Sequence, residues 1–219
     1  MTGDVRAPFR RWLEHYPTAP HFDFVDNGTT RLAFIGDDRD DETTRRVISN
    51  FRTELGDTWD YEFAHAPAGN AMMLSYAFWR DKLLRYEYVL IYQRDSICLQ
   101  AIPDEYFGYD FIGAPCGDWV MNGGLSLRKT AAMCRALRLV VPNEGEPEDV
   151  YFSRALRQIG GVLPKVSLAA SFSVENMYVK LPYGIHGTDK DYLSDNLAEY
   201  IMSRAEEFRT RRPELASPE

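Results

Sequence analysis

Residues 86–96 read Tyr-Glu-Tyr-Val-Leu-Ile-Tyr-Gln-Arg-Asp-Ser, YEYVLIYQRDS. The run Tyr88–Tyr92 carries no charge, has the length of a strand, and is continuous rather than alternating. That is the pattern of a strand buried on both faces, as in the middle of a sheet covered by helices on either side. Gln93, Arg94, Asp95 and Ser96 then leave this strand at its carboxyl end.

Upstream, Arg31–Gly36 (RLAFIG) is a second short apolar run, followed by Asp37-Asp38-Arg39-Asp40-Asp41. An aspartate of this group is placed to cap a helix over Glu42–Leu55, with Val47, Ile48, Phe51 and Leu55 on one face and Gly56 as its stop. In Trp59–Ala64, Trp59, Tyr61 and Phe63 alternate with Asp60 and Glu62, the period of a strand. Helical spacing returns over 69–85, where Met72, Tyr76, Trp79 and Leu83 share a face. This β-α-β-α-β order demands parallel strands joined by crossover helices, hence an α/β fold.

Downstream, short strands are expected at Phe111–Gly113 and Leu125–Leu127, and helices at Lys129–Leu137 and Glu148–Ile159, the latter with Pro147 near its first turn. A last amphipathic helix over Tyr192–Phe208 would bury Leu193, Leu197, Tyr200, Ile201 and Phe208. Residues 1–30 read as a segment lying over the main fold, and 209–219 as a polar tail. Between them one domain is expected over 31–208.

The chain has 219 residues, enough to bury a core without staples, and 45% of them are hydrophobic. Its formal net charge of −8 argues against nucleic acid or an anionic membrane as partner. Cys98, Cys116 and Cys134 form no CxxC pair, which suggests reduced thiols and a cytoplasmic setting. No stretch approaches the length of a transmembrane segment, and no apolar run follows the charges of Met1–Arg11.

Ligands of open α/β sheets bind outside the carboxyl ends of the strands. Here those positions are Gly36–Arg39, His65–Asn70 and Gln93–Ser96. Neither GxGxxG nor GxxxxGK[ST] occurs, so a dinucleotide site or a P-loop is not expected.

Four groups of residues could carry chemistry. Asp95 projects where a hard divalent cation would bridge it to a diphosphate, and Arg94 could pair with phosphate. The plain alternative is a surface ion pair at a strand end. Asn122-Gly123-Gly124 permits close backbone approach to a ligand, or forms an ordinary tight turn. Glu148 and Asp149 start a helix, where acids commonly just favour the dipole, yet the same place suits a general base. His186 lies between Gly184 and Gly187, available as a metal or phosphate contact or simply exposed. His15, His21 and His65 have no sequence neighbours that single them out.

The order of these groups adds to their weight. YEYVLIYQRDS (86–96), YDFIGAP (109–115), NGGLSLR (122–128), PEDVYF (147–152), FSVE (172–175) and PYGIHG (182–187), with SYAFW (75–79) upstream, resemble the family DUF5672, which is related to GT-A nucleotide-diphospho-sugar transferases. The likeness spans roughly residues 31–188. It implies a Rossmann-like, GT-A-like mixed sheet flanked by helices, with a nucleotide-binding half at 31–120 and an acceptor-binding half at 121–208.

It further implies a glycosyltransferase that moves a sugar from a nucleotide-diphosphate donor to a saccharide, protein or small-molecule acceptor, with inversion. Asp95 would stand at the metal-binding DxD, although Gln93 replaces the first aspartate. Asp95 and His186 would then hold Mn²⁺ or Mg²⁺. Asn122, Gly123 and Gly124 would line the sugar and acceptor cleft, with Asp149 as base and Glu148 positioning a substrate. Gly36, Asp37, Arg39, Asn70, Gln93 and Arg94 would touch the nucleotide.

Two other functions compete. A sugar-phosphate nucleotidyltransferase would need a basic Gly-rich loop where this chain has the acidic 36–41 segment. A binding or scaffold protein that has lost catalysis would account for Gln93.

Overall fold

The structure, a computed structural model, describes residues 7–175, 177, 182–188, 199, 200, 202, 203 and 205–207. In chain order its elements are α1 (Ala7–Leu13), β1 (Phe24–Val25), β2 (Arg31–Gly36), α2 (Glu42–Leu55), β3 (Asp60–Ala64), α3 (Asn70–Met73), β4 (Tyr88–Tyr92), β5 (Ile97–Cys98), β6 (Phe111–Cys116), β7 (Val120–Lys129), α4 (Thr130–Leu139), α5 (Glu148–Gln158), α6 (Val166–Phe172), β8 (Ser173–Val174) and β9 (Gly184–Ile185). Six strands form a mixed sheet in the order β1-β3-β2-β4-β7-β6, and a small sheet has the order β5-β9-β8.

β4 lies between β2 and β7 with every residue buried, as its unbroken apolar run predicts. β3, β2 and β4 are parallel, the outcome the alternating order requires. The second half turns antiparallel, β7 against β4 and β6 against β7. The whole is a mixed α/β sheet flanked by helices. Phe51 of α2 stacks on Tyr92 of β4 with ring centroids 4.0 Å apart, joining the helical layer to the central strand.

α2 has the expected bounds. Asp41 caps it by accepting from the Thr44 amide, and Gly56 ends it at φ 64, a backbone angle that disfavours any side chain. The N-terminal segment does more than lie over the fold, because β1 adds an edge strand antiparallel to β3. α1 buries Phe9, Trp12 and Leu13, and Arg46 of α2 donates to the Tyr16 carbonyl at 2.9 Å just behind it.

Two helical expectations need correction. The helix expected over 69–85 is interrupted: α3 ends at Met73, and a π-helical segment runs Phe78–Leu83. Ser75 accepts the Phe78 amide on its hydroxyl, a cap inside the apolar period, and the Trp79 indole donates to the Met73 carbonyl across the gap. At the C-terminal end residues 199, 200, 202, 203 and 205–207 are helical. Met202 and Ala205 are buried there, whereas Tyr200, expected inside, is 42% exposed. Leu193, Leu197, Ile201, Phe208 and the tail 209–219 lie outside the described residues.

The short strand expected at 125–127 is the middle of the long β7, and the one at 111–113 extends to Cys116. Gly113 is where these two strands crowd. A Cβ there would sit 2.1 Å from the Asn122 carbonyl oxygen, and the register shifts between Gly113 and Pro115.

Candidate functional site

The parallel strands open at their carboxyl ends into a cleft of about 290 Å³. Gly36, Asp37 and Arg39 form one wall after β2, Pro67, Ala68 and Gly69 another after β3, and Gln93, Arg94 and Asp95 the floor after β4. A glycine is required at the end of β2, since a Cβ on Gly36 would meet the Ala66 carbonyl at 2.7 Å and Ala68 at 2.8 Å. Gly36 thus admits the neighbouring loop, whose Ala68 amide donates to the Gly36 carbonyl at 3.2 Å.

The charges around this cleft are paired with one another. Arg39 donates through Nε and Nη2 to the two oxygens of Asp37 at 2.8 and 2.7 Å. Burial alone would raise the Asp37 carboxyl, but the hydrogen bonds from Arg39 hold it below the usual carboxylate range. Arg94 donates to Asp41 at 2.6 Å. Beyond Arg94 and Asp95 lies a second cavity of about 200 Å³, reaching Phe9, Arg10, Thr43 and Thr188.

Long-range pairing brings His186 to this floor. Asn50 of α2 clamps the Cys98 backbone, accepting from its amide and donating to its carbonyl, both at 2.8 Å, which fixes β5. β5 pairs with β9, Ile97 opposite Ile185. The Thr188 amide and hydroxyl then donate to the Asp95 carbonyl at 3.0 Å each. Far from being an exposed loop residue, His186 is only 2% exposed.

Its Nε2 lies 3.1 Å from Gln93 Oε1 and 3.5 Å from Asp95 Oδ1, and its Nδ1 lies 3.5 Å from Glu175 Oε1. Burial alone would lower the imidazole pKa, but the facing Asp95 and Glu175 carboxylates reverse this and raise it to about 9. At neutral pH the metal-free ring is a cation held between two acids. Gly124 makes room for it, because a Cβ there would be 2.1 Å from His186 Nε2 and 2.7 Å from Gln93 Oε1.

The acceptor-side residues expected from the sequence sort differently. Gly123 is needed by a protein carboxylate, a Cβ there falling 1.9 Å from Glu148 Oε1. Asn122 turns its side chain back to accept from the Gly124 amide at 2.7 Å. Glu148, expected to position a substrate, is bound to Arg128 by hydrogen bonds of 2.6 and 2.9 Å. The Arg128 guanidinium is fully buried, also donates to Ser126 Oγ and the Gly123 carbonyl, and stands over the rings of Phe111 and Phe152.

Asn70, expected at the nucleotide, accepts the Glu148 amide on its side-chain oxygen at 2.9 Å and donates to the Glu146 carbonyl at 3.3 Å. From the first turn of α3 it caps α5 and so ties the two halves of the sheet together. Asp149 is part-exposed at the start of α5 and accepts from the Val150 amide at 2.8 Å. The Cys116 thiol is raised to about 11 by burial first, then by Glu175 and Asp149. Asp95, His186, Glu175 and Cys116, whose Sγ donates to Glu175 Oε2 at 3.7 Å, form one connected group. Arg128 and Glu175 had no assigned role from the sequence. The signal for Arg128 was a charge closing the small and apolar run GGLSLR, which demands a buried acid.

Residues 54–186 match the family described as "Protein of unknown function (DUF5672)". The chain belongs to this family. No curated protein matches it. The DUF5672 region begins near the end of α2 and ends at His186, so it contains Gln93, Asp95, Glu148, Asp149 and His186. Gly36, Asp37 and Arg39, the β2 side of the cleft, precede it. Among the described residues of this DUF5672 protein, no helix is long and apolar enough to cross a membrane.

Proposed function

We propose that the chain is a GT-A-like glycosyltransferase that takes a sugar from a nucleotide-diphosphate donor. The observation that carries this reading is Asp95 on the floor of the cleft, with Gln93 Oε1 and His186 Nε2 beside it. The site lies where open α/β sheets hold nucleotides. Its arginines are already neutralised by Asp37 and Asp41, so a diphosphate entering the cleft needs further positive charge.

The residues present fit Mn²⁺ or Mg²⁺. One carboxylate oxygen, one amide oxygen and one imidazole nitrogen converge, and Glu175 on the far ring nitrogen is the usual partner of a metal-bound histidine. When bound, the cation supplies neutralisation of the charge that builds on the departing diphosphate. Binding requires that His186 give up its proton, which makes it pH-dependent.

In this reading Asp149 takes the proton from the acceptor hydroxyl, and the oxygen so released attacks the anomeric carbon with inversion. Glu148 acts through Arg128 by holding the start of α5, rather than by touching a substrate. Arg39 and Arg94 bind phosphate by exchanging their aspartate partners for it. Three free thiols support a reducing, cytoplasmic setting.

The test is turnover of a panel of UDP-, GDP- and dTDP-sugars with Mn²⁺, following release of the nucleoside diphosphate. Release from at least one donor supports a transferase, since slow hydrolysis accompanies transfer. The proton-filled His186 and the amide at Gln93 favour a second reading, a binding protein without catalysis. Donor-dependent stabilisation without any release would select it.

A further inference from the structure

His21, Asp23 and His65 form a second cluster, separate from the cleft floor. Their ligand atoms all lie within 4.8 Å of one another, and all three residues are exposed. His65 Nε2 is 2.9 Å from Asp23 Oδ1, and His21 Nε2 is 3.7 Å from the same oxygen. The two imidazoles are stacked, centroids 5.4 Å apart and planes 22° from parallel.

The backbone sets up this convergence. β1 pairs with β3, Phe24 opposite Glu62, and the Phe63 amide donates to the Asp23 carbonyl at 2.9 Å. His21 and Asp23 lie just before β1 and His65 just after β3, so the β1–β3 pairing brings the three into reach of one another. His65 also rests against the Phe63 ring, centroids 4.3 Å apart.

Asp40 completes the arrangement from outside. Its Oδ2 is 3.2 Å from His21 Nδ1, and Arg45 donates to its two oxygens at 2.7 and 2.8 Å. A carboxylate on Nδ1 selects the tautomer whose Nε2 carries the lone pair, here the nitrogen facing Asp23.

We propose that His21, Asp23 and His65 bind a borderline-soft divalent ion of the zinc type, with Asp40 orienting His21. Two imidazoles and one carboxylate, with open positions toward solvent, suit such an ion and suit Mg²⁺ or Ca²⁺ poorly. His65 opens the loop that continues through Pro67, Ala68 and Gly69, the wall of the cleft. An ion here staples residues 21–23 to that wall and restrains it. The site stands whether or not the cleft transfers sugar.

The test is titration of tag-free protein with Zn²⁺ by calorimetry at pH 7.5, on wild type, His65→Ala, His21→Gln, Asp40→Asn and Asp95→Ala. Asp95→Ala, which disables the cleft floor, should still take up one equivalent at micromolar concentrations, and the His21, His65 and Asp40 substitutions are made in that background. His65→Ala and His21→Gln should each weaken binding more than tenfold, and Asp40→Asn roughly tenfold. Amide exchange over residues 65–69 should slow on adding Zn²⁺ to wild type and stay unchanged in His65→Ala. Since His21, Asp40 and His65 are exposed, circular dichroism should show their variants folded, and it checks the part-buried Asp95→Ala in the same way. Absence of uptake by wild type, or uptake that survives both histidine substitutions, overturns the proposal. Uptake lost in Asp95→Ala instead assigns the ion to the cleft floor and also overturns it.

Discussion

Replacing Glu148 by Gln removes the charge that balances the buried Arg128 guanidinium. Arg128 is fully buried, and Glu148 is its acid partner, at 2.6 and 2.9 Å with a side chain 14% exposed. Breaking a buried pair from one side costs about 3–5 kcal/mol. Gln keeps one acceptor and the site is not wholly dry, which points to the lower end, about 3 kcal/mol. For a chain of this size each kcal/mol moves the melting temperature by about 2–4 °C, so a fall of roughly 6–12 °C is expected. Urea unfolding with a slope of about 3 kcal/mol/M should show a midpoint about 1 M lower. Combining Glu148→Gln with Arg128→Met removes both charges and should recover much of the loss, because an apolar replacement of a buried pair is often neutral. Unchanged stability with abolished turnover would refute this reasoning and return Glu148 to the chemistry.

Gly124→Ala forces a methyl to 2.1 Å from His186 Nε2, so the imidazole must leave Gln93 and Asp95. Overpacking of this kind costs about 1–3 kcal/mol, read as a lower melting temperature, and a neutral outcome contradicts the packing described. The folded-state pKa of His186 is raised from 6.5 to about 9, so its contribution is fully present below pH 6.5 and lost as pH rises through 9. The stability of metal-free protein from urea unfolding should fall across that window, by on the order of 3 kcal/mol at most, and much less in His186→Gln. A wild-type midpoint that is flat or rises there speaks against a protonated His186. If Asp149 is the base, Asp149→Asn abolishes transfer while donor affinity, measured by calorimetry, changes less than about twofold. Undiminished turnover in that variant removes Asp149 from the role.

The sequence was most legible where structure is local. The apolar runs at 31–36 and 88–92, the capped period of α2 and the alternation at 60–64 fixed three parallel strands, and with them the three loops that meet at the cleft. The break at Ser75 was not legible, because a hydroxyl cap overrides an apolar period that otherwise continues to Leu83. The site lay further out of reach. Gly123 and Gly124 read as room for a ligand, yet they admit Glu148 and His186, whose positions depend on α5 and on the β5–β9 pairing. His21 and His65 likewise gain meaning only through the pairing of β1 with β3, two strands with no sequence signal linking them.

The claim on which the rest depends is that Asp95 helps a divalent cation hold a diphosphate in the cleft. Calorimetry of UDP, GDP and dTDP at pH 8, with Mn²⁺ and with chelator, in wild type and Asp95→Ala tests it most directly. The account predicts that Mn²⁺ strengthens binding of at least one diphosphate at least tenfold, about 1.4 kcal/mol, in wild type and not in the variant. Equal affinity with and without Mn²⁺ in wild type, or a metal effect that Asp95→Ala leaves intact, would contradict it.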